Sequence, residues 1–157
     1  MAPTIHPSAV VDEGAQIGEG SRVWHFTHVC GGARIGSGVS LGQNVFVGNQ
    51  VVIGDRCKIN AFVYICNAVT VEDGVMLSAG VTFTNDRYPR ATNPELTELR
   101  TSGPDEHTLE TLVREGATIG ARATIGCDLT VGRFAMVGMG AVVTKSVPDF
   151  HLVVGSP

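Results

Sequence analysis

The sequence predicts an all-β parallel solenoid, a β-helix wound in three-sided coils of 18 residues with one long inserted loop. Three observations predict it. Aliphatic residues recur every six positions, from Ile5, Val11 and Ile17 through Val23 and Leu41 to Leu77 and Phe83, and again from Val113 to Val143. Two positions before many of them sits a small or β-branched residue, such as Ala33, Val45, Cys57, Ala117 or Ala141. Glycine follows directly at 18, 36, 42, 48, 54, 120, 126, 132 and 138.

Each element of the repeat has a physical reason. A six-residue spacing fits neither the 3.6 period of a helix nor an isolated hairpin. In a short extended stretch, residues i−2 and i face the same way, so both can enter one core. The glycine then allows a sharp corner, where a side chain would clash or φ must be unusual. Three such edges close a triangular coil, and stacked coils lie about 4.8 Å apart, the usual strand spacing. A β-sandwich would not hold one register through the fourteen consecutive units from Ile5 to Phe83.

Composition excludes several classes of function. The 157 residues suffice for one domain, here spanning 1–157. Only 17% are charged, and with 20 glycines this suggests a repetitive scaffold partly buried in an oligomer. The net charge of −4, with no Lys/Arg cluster, argues against a nucleic-acid partner. No apolar run is long enough for a membrane span, and the N-terminus MAPTIHPSAVVDEG lacks signal-peptide character. The four cysteines form no C-x-x-C pair and suit a reducing cytoplasm, the expected location; no metal is expected.

Between Phe83 and Val113 the register breaks, and residues 84–112 are expected to form a lid loop. Its Pro94–Leu99 stretch predicts a helical turn, with proline opening a Glu/Leu run. Loops of this length are uncommon without a function, although a tolerated surface insertion is the plain alternative. Arg87, Arg90 and His107 lie within it, and arginine forks suit phosphate or carboxylate. A lid over a nucleotide-sugar site is the preferred reading.

An 18-residue coil places residues 18 apart above one another. Gly31, Asn49, Asn67 and Asn85 should therefore stack at one corner, continuing through Cys127 to Lys145 if the loop bulges outward. An amide ladder is the plain account, and its end at Asn85 can present an amide to a ligand. His25 should sit above Gln43 at a second corner, while His28, Phe46, Tyr64 and Thr82 form an outward column suited to a subunit interface. The small-residue stretch containing Gly120, Gly138, Gly140 and Ala141 offers a smooth edge for a pantetheine arm, with Lys145 placed for phosphate.

Six stretches carry a family resemblance: RVWHFTHV at 22–29, GQNVFV at 42–47, VTVED at 69–73, VTFTNDRYPR at 81–90, the segment 116–126, and GMGAVVTKSVP at 138–148. The chain resembles the hexapeptide-repeat acyltransferases, and among them the bacterial nucleotide-sugar N-acetyltransferases that modify a 3-amino sugar. The resemblance implies a left-handed coil and a homotrimer, with acetyl-CoA in the groove between neighbouring prisms. It implies a dTDP- or UDP-linked amino sugar beside the lid, Asn85 in the active site, and Lys145 near the cofactor's adenine-phosphate end. Two departures stand out. Asn67 occupies a position that is acidic in many relatives, and the sequence stops at Pro157 where relatives continue.

The expected chemistry is direct attack of the amine on the thioester, without an acyl-enzyme. The catalytic candidates are Asn85, which can accept from the amine, and His25, a base by chemical type whose alternative is substrate or Gln43 binding. Asn67, Arg87, Arg90, Tyr64 and His28 are the substrate-binding candidates, and Gly120, Gly138, Gly140, Ala141 and Lys145 those for the cofactor. An O-acetyltransferase is the nearest rival. A metal-dependent hydratase would need converging histidines, and a purely structural module would leave the arginine-bearing loop without a purpose.

Overall fold

The computed structural model describes residues 1–157, which form 21 short strands in three parallel sheets. The first sheet begins with Thr4–Ile5, Arg22–Val23 and Ser40–Leu41 and has eight strands. The second begins with Val10–Val11, His28–Val29 and Phe46–Val47 and has seven; the third begins with Gln16–Ile17, Arg34–Ile35 and Val52–Ile53 and has six. Neighbours within a sheet come from successive coils, so Val23 pairs with Leu41 and Val29 with Val47, 18 residues apart. The protein is therefore the parallel solenoid that the six-residue repeat predicts.

The core is one rod of 33 buried residues running the length of the prism. Leu41, Val47, Ile65, Leu77, Ile119 and Ile125 are fully enclosed, as are the i−2 partners Ala33, Ala117 and Ala123. Burying each large aliphatic contributes roughly 1.5–3 kcal/mol. The same repeat position is 41% exposed at Ile5, because no coil lies beneath it.

Of the two reasons for a glycine at the corner, a clash or an unusual φ, the clash holds. The glycines directly after the buried aliphatics do not have a positive φ; they are there because the next coil leaves no room. A Cβ on Gly18 would lie 2.5 Å from the carbonyl carbon of Gly36, and one on Gly54 would lie 2.8 Å from the Asp73 nitrogen. The left-handed residue falls two positions later and is often not glycine: Phe26 (φ 57°), Asn44 (55°), Phe62 (62°) and Phe134 (51°). For bulky residues this conformation costs about 1–2 kcal/mol.

The loop is also shorter and less helical than expected. Val69 pairs with Thr111 at a spacing of 42 instead of 18, so the excursion adds 24 residues. The strand Thr111–Val113 already belongs to the solenoid, which moves the loop's end back from residue 112 to 110. Leu109 N–H donates to Asn85 O at 2.8 Å and closes the mouth. The helical turn predicted at Pro94–Leu99 is instead a turn within an antiparallel bridge from Thr92 to Leu99. Asn93 Oδ1 nucleates it by accepting from the backbone N–H groups of Thr97 and Glu98 at 3.0 and 3.3 Å, an Asx-type alternative to a helix.

The last coil is two residues short: Val131 pairs with Val147, and Met136 with Leu152, each 16 apart. An even contraction keeps the same residues facing inward. No helix in the chain is long and apolar enough to cross a membrane.

Candidate active site beside the inserted loop

The asparagine stack forms at the corner between the second and third sheets. Asn49 Nδ2 donates to Gly31 O at 2.8 Å, and Asn67 Oδ1 accepts from Asn49 N–H at 3.0 Å. Asn85 Nδ2 donates to Asn67 O at 3.4 Å, which turns Asn85 Oδ1 away from the ladder. The ladder thus ends in an acceptor at the root of the loop.

Asn67 does a second job. Its Nδ2 donates across to Ser102 O at 3.3 Å, and the residue is only 8% exposed. Both ends of its amide are therefore held by the protein and tie the loop to the solenoid.

A cavity of about 440 Å³ lies between loop and solenoid, lined by Tyr64, Asn67, Asn85, Asp86, Arg90 and Arg100 among others. Arg100 sits between two carboxylates, 3.1 Å from Asp86 Oδ2 and 3.6 Å from Asp105 Oδ2, all largely shielded. The backbone N–H of His107, with Arg100 nearby, holds the Asp105 carboxyl below its ordinary value. Arg87 reaches Asp128 at 2.9 Å, an ion pair from loop to solenoid. Arg90 has no acidic partner and donates only to Pro89 O, so it is the loop guanidinium available to an anion.

His25 lies elsewhere. It follows the first-sheet strand Arg22–Val23, whereas Asn85 follows Thr82–Phe83 of the second. Its column rises through residues 43, 61 and 79, so Asn85 stands three coils, roughly 14 Å, higher up the prism. The His25 ring stacks on His6 at 3.6 Å instead of engaging Gln43. It does not meet Asn85 within one chain.

His28, Phe46, Tyr64 and Thr82 do form the expected outward column, pairing strand by strand. His28 Nε2 lies 3.0 Å from Asp12 Oδ2 and 3.9 Å from Cys30 Sγ. These three donors lie within 4.8 Å of one another. Burial, reinforced by the Asp12 carboxylate, pushes the Cys30 thiol up, so the thiol keeps its proton and the trio is a hydrogen-bonded cluster rather than a convincing metal centre. Within the chain His25, His28 and His107 keep separate partners, His6, Asp12 and Glu106.

Among the cofactor candidates, Ala141 and Lys145 line a shallow groove of about 300 Å³ with Val153 and Gly155. Gly120 is set by packing, since its Cβ would lie 2.5 Å from Met139 N; Gly138 likewise meets Val154. Gly140 sits at an open corner with φ +68°.

The bacterial transferase hexapeptide family (six repeats) matches residues 14–49 and 50–85, and the hexapeptide repeat of succinyl-transferase matches 115–145. The chain belongs to the hexapeptide-repeat transferases. One relative of this hexapeptide-repeat protein is the dTDP-3-amino-3,6-dideoxy-alpha-D-galactopyranose 3-N-acetyltransferase of Aneurinibacillus thermoaerophilus, 43% identical over 47 residues, 30% of this chain and 24% of that enzyme. WeeI from Acinetobacter baumannii AYE superposes with a TM-score of 0.60 at 25% identity, covering 95% of this chain and 53% of that one. The GDP-perosamine N-acetyl transferase of Caulobacter crescentus, solved with CoA and GDP-perosamine, gives 0.57 at 23% identity over 98% and 53%. The chain thus spans about half of the two solved relatives, and the likeness to the Caulobacter enzyme is one of fold.

Sequence reasoning missed Asp86, Arg100, Ser102 and Asp105. Asp86 follows Asn85 directly in the TND element, a usable signal. The Arg100 pairing depends on the path of an irregular loop, which no periodicity encodes.

Proposed function

We propose that this hexapeptide-repeat transferase moves an acetyl group from acetyl-CoA to the 3-amino group of a dTDP- or UDP-linked amino sugar. The observation that carries the reading is the Asn85 amide, whose free Oδ1 ends the ladder beside a cavity that also holds the unpaired Arg90. Support also comes from the Aneurinibacillus relative, a sugar 3-N-acetyltransferase by name.

In this reading Asn85 Oδ1 accepts from an amine N–H and aims the nitrogen lone pair at the thioester carbon. The N–C bond forms, the C–S bond breaks, and the proton shed by nitrogen leaves with CoA as its thiol. A neutral amine needs no acyl-enzyme. Arg90 takes the diphosphate, and Lys145 meets a cofactor phosphate beside the groove at Ala141. A homotrimer would set that groove against a neighbouring prism and could bring His25 to the Asn85 of another copy.

Release of CoA thiol should follow addition of dTDP- or UDP-3-amino sugars, and Asn85→Ala should lower kcat about 10- to 100-fold with the fold intact. Release with the 3-hydroxy sugars and none with the amines would instead establish the O-acetyltransferase.

A further inference from the structure

The outward column on the second sheet ends abruptly. Phe46 and Tyr64 stack with their centroids 5.2 Å apart and their planes 13° from parallel, and His28 meets Phe46 edge-on at 5.6 Å. One face of the Tyr64 ring is therefore covered by Phe46, while the other looks up the prism. The residue paired above it is Thr82, a small side chain whose hydroxyl turns to Gly80 O at 3.3 Å. A ring-sized step is thus left open above Tyr64, at the level where Asn85 ends the ladder.

The Tyr64 ring adjoins the cavity under the loop. Tyr64 is 44% exposed and lines this cavity together with Asn85 and Arg90. Burial pushes the Tyr64 phenol up, so the ring stays neutral through the ordinary pH range. A flat neutral ring backed by a second one is a platform for another planar ring. Aromatic residues hold nucleobases this way without reading the base edge.

We propose that the free face of Tyr64 is the stacking platform for the nucleobase of the nucleotide-linked substrate, with Phe46 bracing the ring from below and Arg90 meeting the diphosphate. The inference rests on the acetyl-transfer reading and names the part of the substrate that this face holds. A stacking platform tolerates more than one base, so the acceptor's uracil or thymine would be held with similar strength.

The test is calorimetric binding of dTDP, UDP and acetyl-CoA to the full chain and to Tyr64→Leu and Tyr64→Phe. The leucine variant should weaken dTDP and UDP about 10- to 100-fold, the phenylalanine variant should bind them nearly as wild type, and both should keep acetyl-CoA affinity and Tm. A leucine variant that binds dTDP and UDP normally overturns the platform, as does one that loses acetyl-CoA alone, since the ring would then serve the cofactor's adenine. Equal loss of every ligand with a lowered Tm overturns it too, as a packing role. If the wild-type chain binds neither nucleotide, the acetyl-transfer reading falls with it; if it binds both without regard to Tyr64, only the platform falls.

Discussion

Substituting alanine for Gly54 places a Cβ against Glu72 and Asp73 of the coil above, at distances no side chain can adjust because the contacts are mainly backbone. The expected cost is about 1–3 kcal/mol, read from urea unfolding. Gly140→Ala should cost only about 1 kcal/mol, because that corner is open and only its φ of +68° resists. Cysteine chemistry gives a second prediction at this scale. Burial drives the Cys66 thiol up to about 12. The folded state holds its proton where the unfolded chain releases it near 9, so stability is complete below pH 9 and falls as pH rises toward 12. At pH 8 a thiol reagent should label the more accessible Cys127 well before Cys66. The buried aliphatics were legible in the sequence because their spacing is strict. The left-handed corner position was not, because Phe26, Asn44, Arg56 and Gly74 occupy equivalent places and share no side-chain chemistry.

Among the elements, the loop is the one whose attachment can be tested apart from the solenoid. Asn67→Ala removes the donor to Ser102 and the acceptor from Asn49 together. Proteolytic nicking within 86–108 should rise severalfold while the solenoid stays resistant. Asn67→Asp separates the two bonds: Oδ1 still accepts from Asn49, but a carboxylate facing the Ser102 carbonyl repels it, so the loop should loosen with little loss of Tm. The acidic residue that many relatives are expected to carry here would therefore act in a differently held loop. Deleting residues 86–109 removes the surplus of 24 and restores the spacing of 18. That chain should fold, with a Tm within several degrees of wild type, and lose nucleotide binding. The loop's existence was plain from the broken register, and Asn85 from the column arithmetic. Its internal Asp86–Arg100–Asp105 bridge was hidden because it follows from a backbone path with no repeat.

Taken whole, the molecule is a stack in which each coil touches only the next, so stability accumulates along one axis. Hydrogen exchange should be slowest in the middle coils, where Val47, Ile65 and Leu77 are fully enclosed, and fastest around Ile5 and Val10 at the open end. The closed mouth of the loop has a consequence for the molecule as a scaffold. Asn85 and Leu109 meet through one main-chain bond that any pair of residues could make, so what protrudes beyond them is topologically an appendix. A longer, shorter or differently charged appendage could be exchanged at that junction without disturbing a coil. The loop can thus diverge while the groove near Lys145 stays as it is.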